Sequence, residues 1–205
     1  MKDDTIFSLE DGKALVKMAR KTVTEFLKNG KRMKIDKDFQ KKYSFDSGVF
    51  VTLSNQIGLR GCIGYPLPQK KLYDALEKAA IAASTEDPRF TPVKFEELDS
   101  TTFEVTILTP AQKIKVKEPE EYLTKIKVGR DGLIVSYGYN SGLLLPQVPI
   151  EHGWNEEEFL QHTCEKAGLP KNYWKKPEIE IKKFQGIVFK EKFPNGEIIQ
   201  EKLLD

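Results

Sequence analysis

Apolar residues fall at helical spacing through "SLEDGKALVKMARKTVTEFLKNG", where Leu15, Met18, Ala19, Thr22, Val23, Phe26 and Leu27 share one face. Ser8 with Asp11 three residues on has the form of a capping box, and Gly30 is a stop signal. A second helical stripe, Leu72, Ala75, Leu76, Ala79, Ala80 and Ala83, runs through "KKLYDALEKAAIAAS". A third helix, capped by Asn155 and ending near Gly168, would bury Phe159, Leu160, Thr163, Cys164 and Ala167 and turn Glu158, His162 and Lys166 to water. The spacing changes to two elsewhere. "GVFVTLS" and "IGLRGCIGY" read as a hairpin about the polar break Ser54, Asn55 and Gln56. In "TTFEVTILTP", Phe103, Val105 and Ile107 alternate with Glu104, Thr106 and Leu108, which sets Glu104 opposite the core face. "KIKVG" and "LIVSYG" read as a hairpin turning at Asp131-Gly132. "EIEIKKFQGIVFKE" and "EIIQEKL" are late strands about a Pro194-Asn195-Gly196 turn. Residues 28–42 lack a continuous apolar face and read as a surface connection, and "EDPRFTP" reads as a loop because Pro88 disfavours helix at Asp87. Several strands and three or four helices without regular βα alternation predict an α+β fold.

Length and charge narrow the picture. The 205 residues suit one large domain or two small lobes. Thirty-three Lys and Arg against 31 Asp and Glu leave a formal charge of +2, too little for a global field that gathers nucleic acid or an anionic membrane. No apolar run approaches the ~20 residues of a membrane helix, so no membrane association is expected. Two distant cysteines, Cys62 and Cys164, and no signal peptide point to free thiols in a reducing cytoplasm.

Cys62 is the sharpest chemical candidate, because a thiolate is stabilised by a neighbouring cation such as Arg60 or by a glycine-rich bend such as Gly58, Gly61 and Gly64. The alternative is a small buried residue in a strand corner. A Cys-His pair would need His152 or His162, the only histidines. The two cysteines and two histidines lack the compact spacing of a structural zinc site, and no phosphate-cradle motif is present. Asp87, Glu104 and Glu151 would serve acid-base chemistry if gathered near Arg60 and Arg89, and otherwise make structural hydrogen bonds. The basic stretches "KNGKRMK" and "KKPEIEIKK" are interrupted or flanked by acids and read as solvated faces.

Five stretches together, "LRGCIGY", "DPRFTP", "FEVTILTP", "GLLLPQVPIEHGW" and "FLQHTCEKAGLPKNYW", resemble the AMMECR family over nearly the whole chain. The resemblance implies a single α+β domain over residues 1–205, built of two packed lobes of mostly antiparallel sheet with helices and a cleft between them. It carries motif positions onto Arg60, Gly61, Cys62, Gly64, Asp87, Pro88, Arg89, Phe90, Glu104, Pro146, Gln147, Glu151, Trp154 and Trp174, and onto neither histidine. On that basis Cys62, Arg60, Glu104 and Asp87 are expected to be catalytic, with Gly61, Gly64, Arg89, Gln147, Glu151 and Trp154 contacting substrate. The resemblance implies partners among Memo-type and radical SAM proteins and a small-molecule or nucleotide-like substrate in nucleic-acid modification. It names no cofactor, metal or oligomeric state. A non-catalytic module that binds RNA or protein is the alternative.

Overall fold

The structure, a computed structural model, describes residues 7–201. The chain divides into two compact units, one of residues 7–108 and 187–201, the other Thr109–Gly186. The elements are α+β as expected, and the strand pairs are antiparallel.

In the first unit a long helix, α1 (Leu9–Asn29), begins at the predicted capping box, with Ser8 and Asp11 bonded reciprocally, and ends at Gly30 in the left-handed conformation. A short helix, α2 (Lys37–Lys42), follows inside the stretch read as a connection. The Asp36 carboxylate caps it by accepting from the N–H groups of Asp38 and Phe39, a local signal that needs no apolar face. Strands β1 (Val49–Asn55) and β2 (Gly58–Tyr65) form the predicted hairpin, but its turn is Gln56-Ile57. Ser54 and Asn55 stay in the strand, and the Asn55 side chain accepts from Ile57 N–H to close the turn. Helix α3 (Leu72–Thr85) carries its predicted stripe fully into the core. Strand β3 (Thr102–Leu108) lies on the other side of β1. Val49, Val51 and Leu53, Phe103, Val105 and Ile107 face α1 and α3 and form the core of this unit.

The second unit holds β4 (Gln112–Lys113), α4 (Tyr122–Lys125), β5 (Asp131–Tyr137), β6 (Asn140–Leu144), α5 (Gln147–His152) and α6 (Glu156–Lys166). One long strand, β7 (Glu180–Glu191), gives its first residues to this unit and its last to the other, where β8 (Ile198–Glu201) pairs with it. The predicted second strand continues to Lys202 and Leu203, which lie outside the described residues. The hairpin expected at Asp131-Gly132 is placed one element later: Asp131 and Gly132 are already in β5, paired with Gln185 and Phe184 of β7, and the chain turns at Gly138, which has a positive φ, into β6. Helix α6 buries its predicted apolar face against this sheet, beside Trp174. No helix among the described residues is long and apolar enough to cross a membrane.

Candidate functional site

Cys62 sits in β2 opposite Thr52 of β1, and Thr52 in turn sits opposite Glu104 of β3. Val51, Leu53, Phe103 and Val105 on either side of this rung point into the core, so alternation sends Cys62, Thr52 and Glu104 to the other face of the sheet. At a strand spacing of about 4.8 Å, thiol, hydroxyl and carboxyl stand in a row roughly 10 Å long. All three residues are half-buried. The Thr52 hydroxyl donates to the Cys62 sulfur at 3.2 Å.

β2 is an edge strand, and at Cys62 its backbone N–H and C=O point away from β1. Unpaired edge groups invite pairing with another chain. Here two side chains take the place of a neighbouring strand. The Asp87 carboxylate accepts from Cys62 N–H at 2.8 Å, and Arg89 Nη2 donates to the Cys62 carbonyl at 3.2 Å. Asp87 also accepts from Arg89 N, Nε and Nη2 at 3.1, 3.0 and 2.7 Å, so the two side chains act as one clasp. The Asp87 side chain is 3% exposed and that of Arg89 54%.

Arg60 does something else. The register shifts between Leu53 and Ser54, which pair with Gly61 and Leu59, and Arg60 is left over in the bulge. Its guanidinium leaves the Cys62 row and binds Glu97 through Nε at 2.9 Å and Nη2 at 3.1 Å, with Thr91 O and Pro92 O as further acceptors. Arg60 thus pins the far end of the loop whose near end carries Asp87 and Arg89. The expected pairing of an Arg60 cation with the thiol is corrected by this geometry: the cation beside Cys62 is Arg89.

Gly61 and Gly64, expected to contact substrate, have packing reasons of their own. A Cβ on Gly61 would lie 2.0 Å from the Ala83 carbonyl oxygen, and one on Gly64 would lie 2.3 Å from the Phe50 ring. These glycines let the edge strand pack against α3 and against Phe50. Gln147, Glu151 and Trp154 belong to the second unit and take no part in the Cys62 hydrogen bonds. Trp154 is stacked with His152 at 4.6 Å and with His162 at 3.8 Å between ring centroids, so its ring is already engaged by its neighbours. His162 is therefore half-buried rather than turned to water, and its Nδ1 lies 2.8 Å from Glu165.

Electrostatics separate the acids. The Arg89 guanidinium, helped by the Cys62 N–H, holds the Asp87 carboxyl far below the usual carboxylate range, against the opposing effect of burial. Asp87 stays ionised at neutral pH, and its expected service as a proton carrier gives way to that of an anchor. Burial pushes Glu104 the other way, aided by the Glu201 charge and opposed by Lys190. Burial also raises the Cys62 thiol, with Glu104 and Asp87 adding to the rise and the Thr52 hydrogen bond and Arg89 opposing it. The resting state at neutral pH is a thiol, not the preformed thiolate that an adjacent arginine suggested. Cys164, sealed in the second core, is pushed up to about 11, chiefly by burial. No cluster of three or more metal-ligating side chains occurs among the described residues.

Comparison with known proteins decides the family. The family model described as AMMECR1 matches residues 16–189. The chain belongs to the AMMECR1 family. Protein MJ0810 of Methanocaldococcus jannaschii is 49% identical over 201 residues, 97% of this chain and 99% of that protein. Protein PYRAB00100 of Pyrococcus abyssi is 50% identical over 200 residues, 95% and 97% of the two chains. The crystal structure of PH0010 from Pyrococcus horikoshii, described as an uncharacterised protein, superposes with a TM-score of 0.77 at 49% identity, covering 94% of this chain and 97% of that one. In this AMMECR1 chain the row also includes residues that sequence reasoning passed over. Thr52 was visible only as a polar position between Val51 and Leu53, and its register with Cys62 is a property of the folded hairpin. Lys190 and Glu201, which act on Glu104 from β7 and β8, left no local signal.

Proposed function

We propose that the unit of residues 7–108 and 187–201 carries a catalytic site, as an enzyme or the catalytic part of one, acting on a small-molecule or nucleotide-like substrate. Cys62 supplies the thiol that engages the substrate, Thr52 orients its sulfur, and Glu104 carries the proton. Asp87 and Arg89 fix the strand at Cys62, and Arg60 holds their loop. The observation that carries this reading is the single rung Cys62-Thr52-Glu104 on the sheet face opposite the core. A half-buried carboxyl in a central strand, pushed up by burial, is unfavourable for packing and suited to proton transfer. Deprotonation of a thiol raised by burial is then coupled to arrival of substrate rather than stored in the resting site. Partnership with Memo-type and radical SAM proteins and a place in nucleic-acid modification accompany this reading from the family resemblance, and a reducing cytoplasmic setting from the two distant cysteines.

The test is metabolite profiling. Small-molecule extract is incubated with the protein or with Cys62→Ser or Glu104→Gln, each shown to be folded by circular dichroism. Mass-spectral features consumed by the native protein persist with both variants. Identical profiles for all three proteins overturn the catalytic reading.

A further inference from the structure

The cations around the Cys62 row are already matched. Arg89 is paired with Asp87 at 2.7 Å, Arg60 with Glu97 at 2.9 Å, and Lys190 with Glu201. The carboxyl left over is Glu104, which has no hydrogen bond and no ion pair among the described residues. It is half-buried in a strand with neighbours on both sides, β1 and β7. An acid in that position loses part of its hydration on folding and gains from the protein only the nearby charge of Lys190, a cost that packing would have removed by placing an apolar or hydroxyl side chain there. No donor among the described residues bonds to it, which leaves the carboxyl open to a donor from a ligand.

Building on the catalytic reading above, we infer that Glu104 receives a cationic N–H group of the substrate, a primary ammonium or an amidinium, while the reacting end lies over Cys62. The register fixes the span. Cys62 and Glu104 are two strands apart, about 10 Å between Cα atoms, on the same face of the sheet with the short Thr52 between them. A linker of two or three carbons between the reacting centre and the nitrogen fits that distance. Sites that hydrogen-bond a substrate N–H discriminate strongly against analogues lacking it, because the acid is then left unpaired. An anion is the disfavoured alternative: Glu104 repels it, and the Arg89 guanidinium is already paired with Asp87 through Nε and Nη2, with Nη2 also on the Cys62 carbonyl. The raised Glu104 carboxyl is consistent with a group whose ionised form waits for a cation.

Disulfide exchange at Cys62 tests this with the full chain. The protein is equilibrated separately with cystamine, bis(2-hydroxyethyl) disulfide and 3,3′-dithiodipropionate, each with its own thiol, and the Cys62 adduct is measured by mass spectrometry and peptide mapping. The aminoethyl adduct is expected to exceed the hydroxyethyl adduct by about fivefold, the ratio for one partly desolvated charge-assisted hydrogen bond of roughly 1 kcal/mol, with the propionate adduct least. Glu104→Gln brings the ratio of aminoethyl to hydroxyethyl adduct to about one, whatever it does to the absolute level of either. Glu104→Val, which suits a strand, serves as the second variant and gives the same result. Equal aminoethyl and hydroxyethyl adducts, a preference that survives either variant, or a propionate preference overturns the inference while leaving a reachable thiol. A Cys62 that all three reagents miss in the folded protein and modify in urea brings down the catalytic reading itself.

Discussion

Replacing Asp87 by Asn removes one charge and leaves the size of the side chain unchanged, so it isolates the clasp on the edge strand. Asp87 accepts four hydrogen bonds, one from Cys62 N–H and three from Arg89, with its side chain only 3% exposed. Asparagine keeps one acceptor oxygen but turns an NH2 toward donors, so at least two of these contacts become donor against donor. Breaking a buried ion pair costs about 3–5 kcal/mol when the abandoned partner stays buried. The abandoned partner here is Arg89, more than half exposed, which can rehydrate. The expected loss is therefore smaller, about 2–3 kcal/mol, or a fall in Tm of roughly 4–12 °C for a chain of this size.

Urea and thermal unfolding followed by circular dichroism measure it, and pH supplies an internal control. The folded state keeps Asp87 ionised to lower pH than the unfolded chain does. Its stabilisation is thus fully present above the unfolded carboxylate range, near pH 4, and is lost progressively as pH falls further. The gap between native protein and Asp87→Asn should be wide at pH 7 and close on acidification below about pH 4. With the clasp loosened, the Cys62 N–H and C=O become an open strand edge, so the variant should also self-associate more readily. A variant within about 0.5 kcal/mol of the native protein, or a gap that does not change with pH, refutes the assignment of Asp87 as the anchor of β2.

Three further outcomes follow from single contacts. Thr52→Val removes the donor to the Cys62 sulfur, which raises the thiol further and slows iodoacetamide alkylation at fixed pH by about threefold to tenfold, for a hydrogen bond worth roughly 1 kcal/mol. An unchanged pH-rate profile contradicts that contact. Gly61→Ala places a methyl 2.0 Å from the Ala83 carbonyl oxygen, so α3 or β2 must shift, at a cost of about 1–3 kcal/mol or more in urea unfolding. Native stability in this variant shows that the close approach is not needed. Trp174 is 1% exposed and its Nε1–H has no partner among the described residues, so Trp174→Phe trades lost area against relief of a stranded donor and should change stability by less than about 1.5 kcal/mol. A loss as large as that of a truncation, about 3 kcal/mol or more, points to an unrecognised acceptor.

What could be read from the chain was whatever repeats within a few residues. The stripes of α1, α3 and α6, the capping box at Ser8, the cap at Asn155, and the alternation of β3 all recur in the structure at the predicted positions because each depends on local geometry. The failures have a common cause, which is that register and partner choice are decided between segments. Asp131-Gly132 has turn chemistry, yet pairing to Gln185 and Phe184 draws it into β5 and leaves the turn to Gly138. Arg60 lies two residues from Cys62, and in a regular strand the two would share a face. The bulge at Leu53/Ser54 turns its guanidinium to Glu97 instead, 37 residues on. Glycines flagged that irregularity without saying which side chain it would redirect. His162 was placed on the polar side of its helix by period alone, and Trp154 covers it from outside the helix. The same logic bears on the site. Cys62, Asp87 and Glu104 were legible as residue types, but the chemistry differs among them because one acid was given a guanidinium and the other was given none. A carboxyl that the fold half-buries without a hydrogen bond among the described residues, on the same rung as a thiol it also keeps neutral, is the feature that only the three-strand register reveals. It is also the feature most costly to keep in a protein with no use for it.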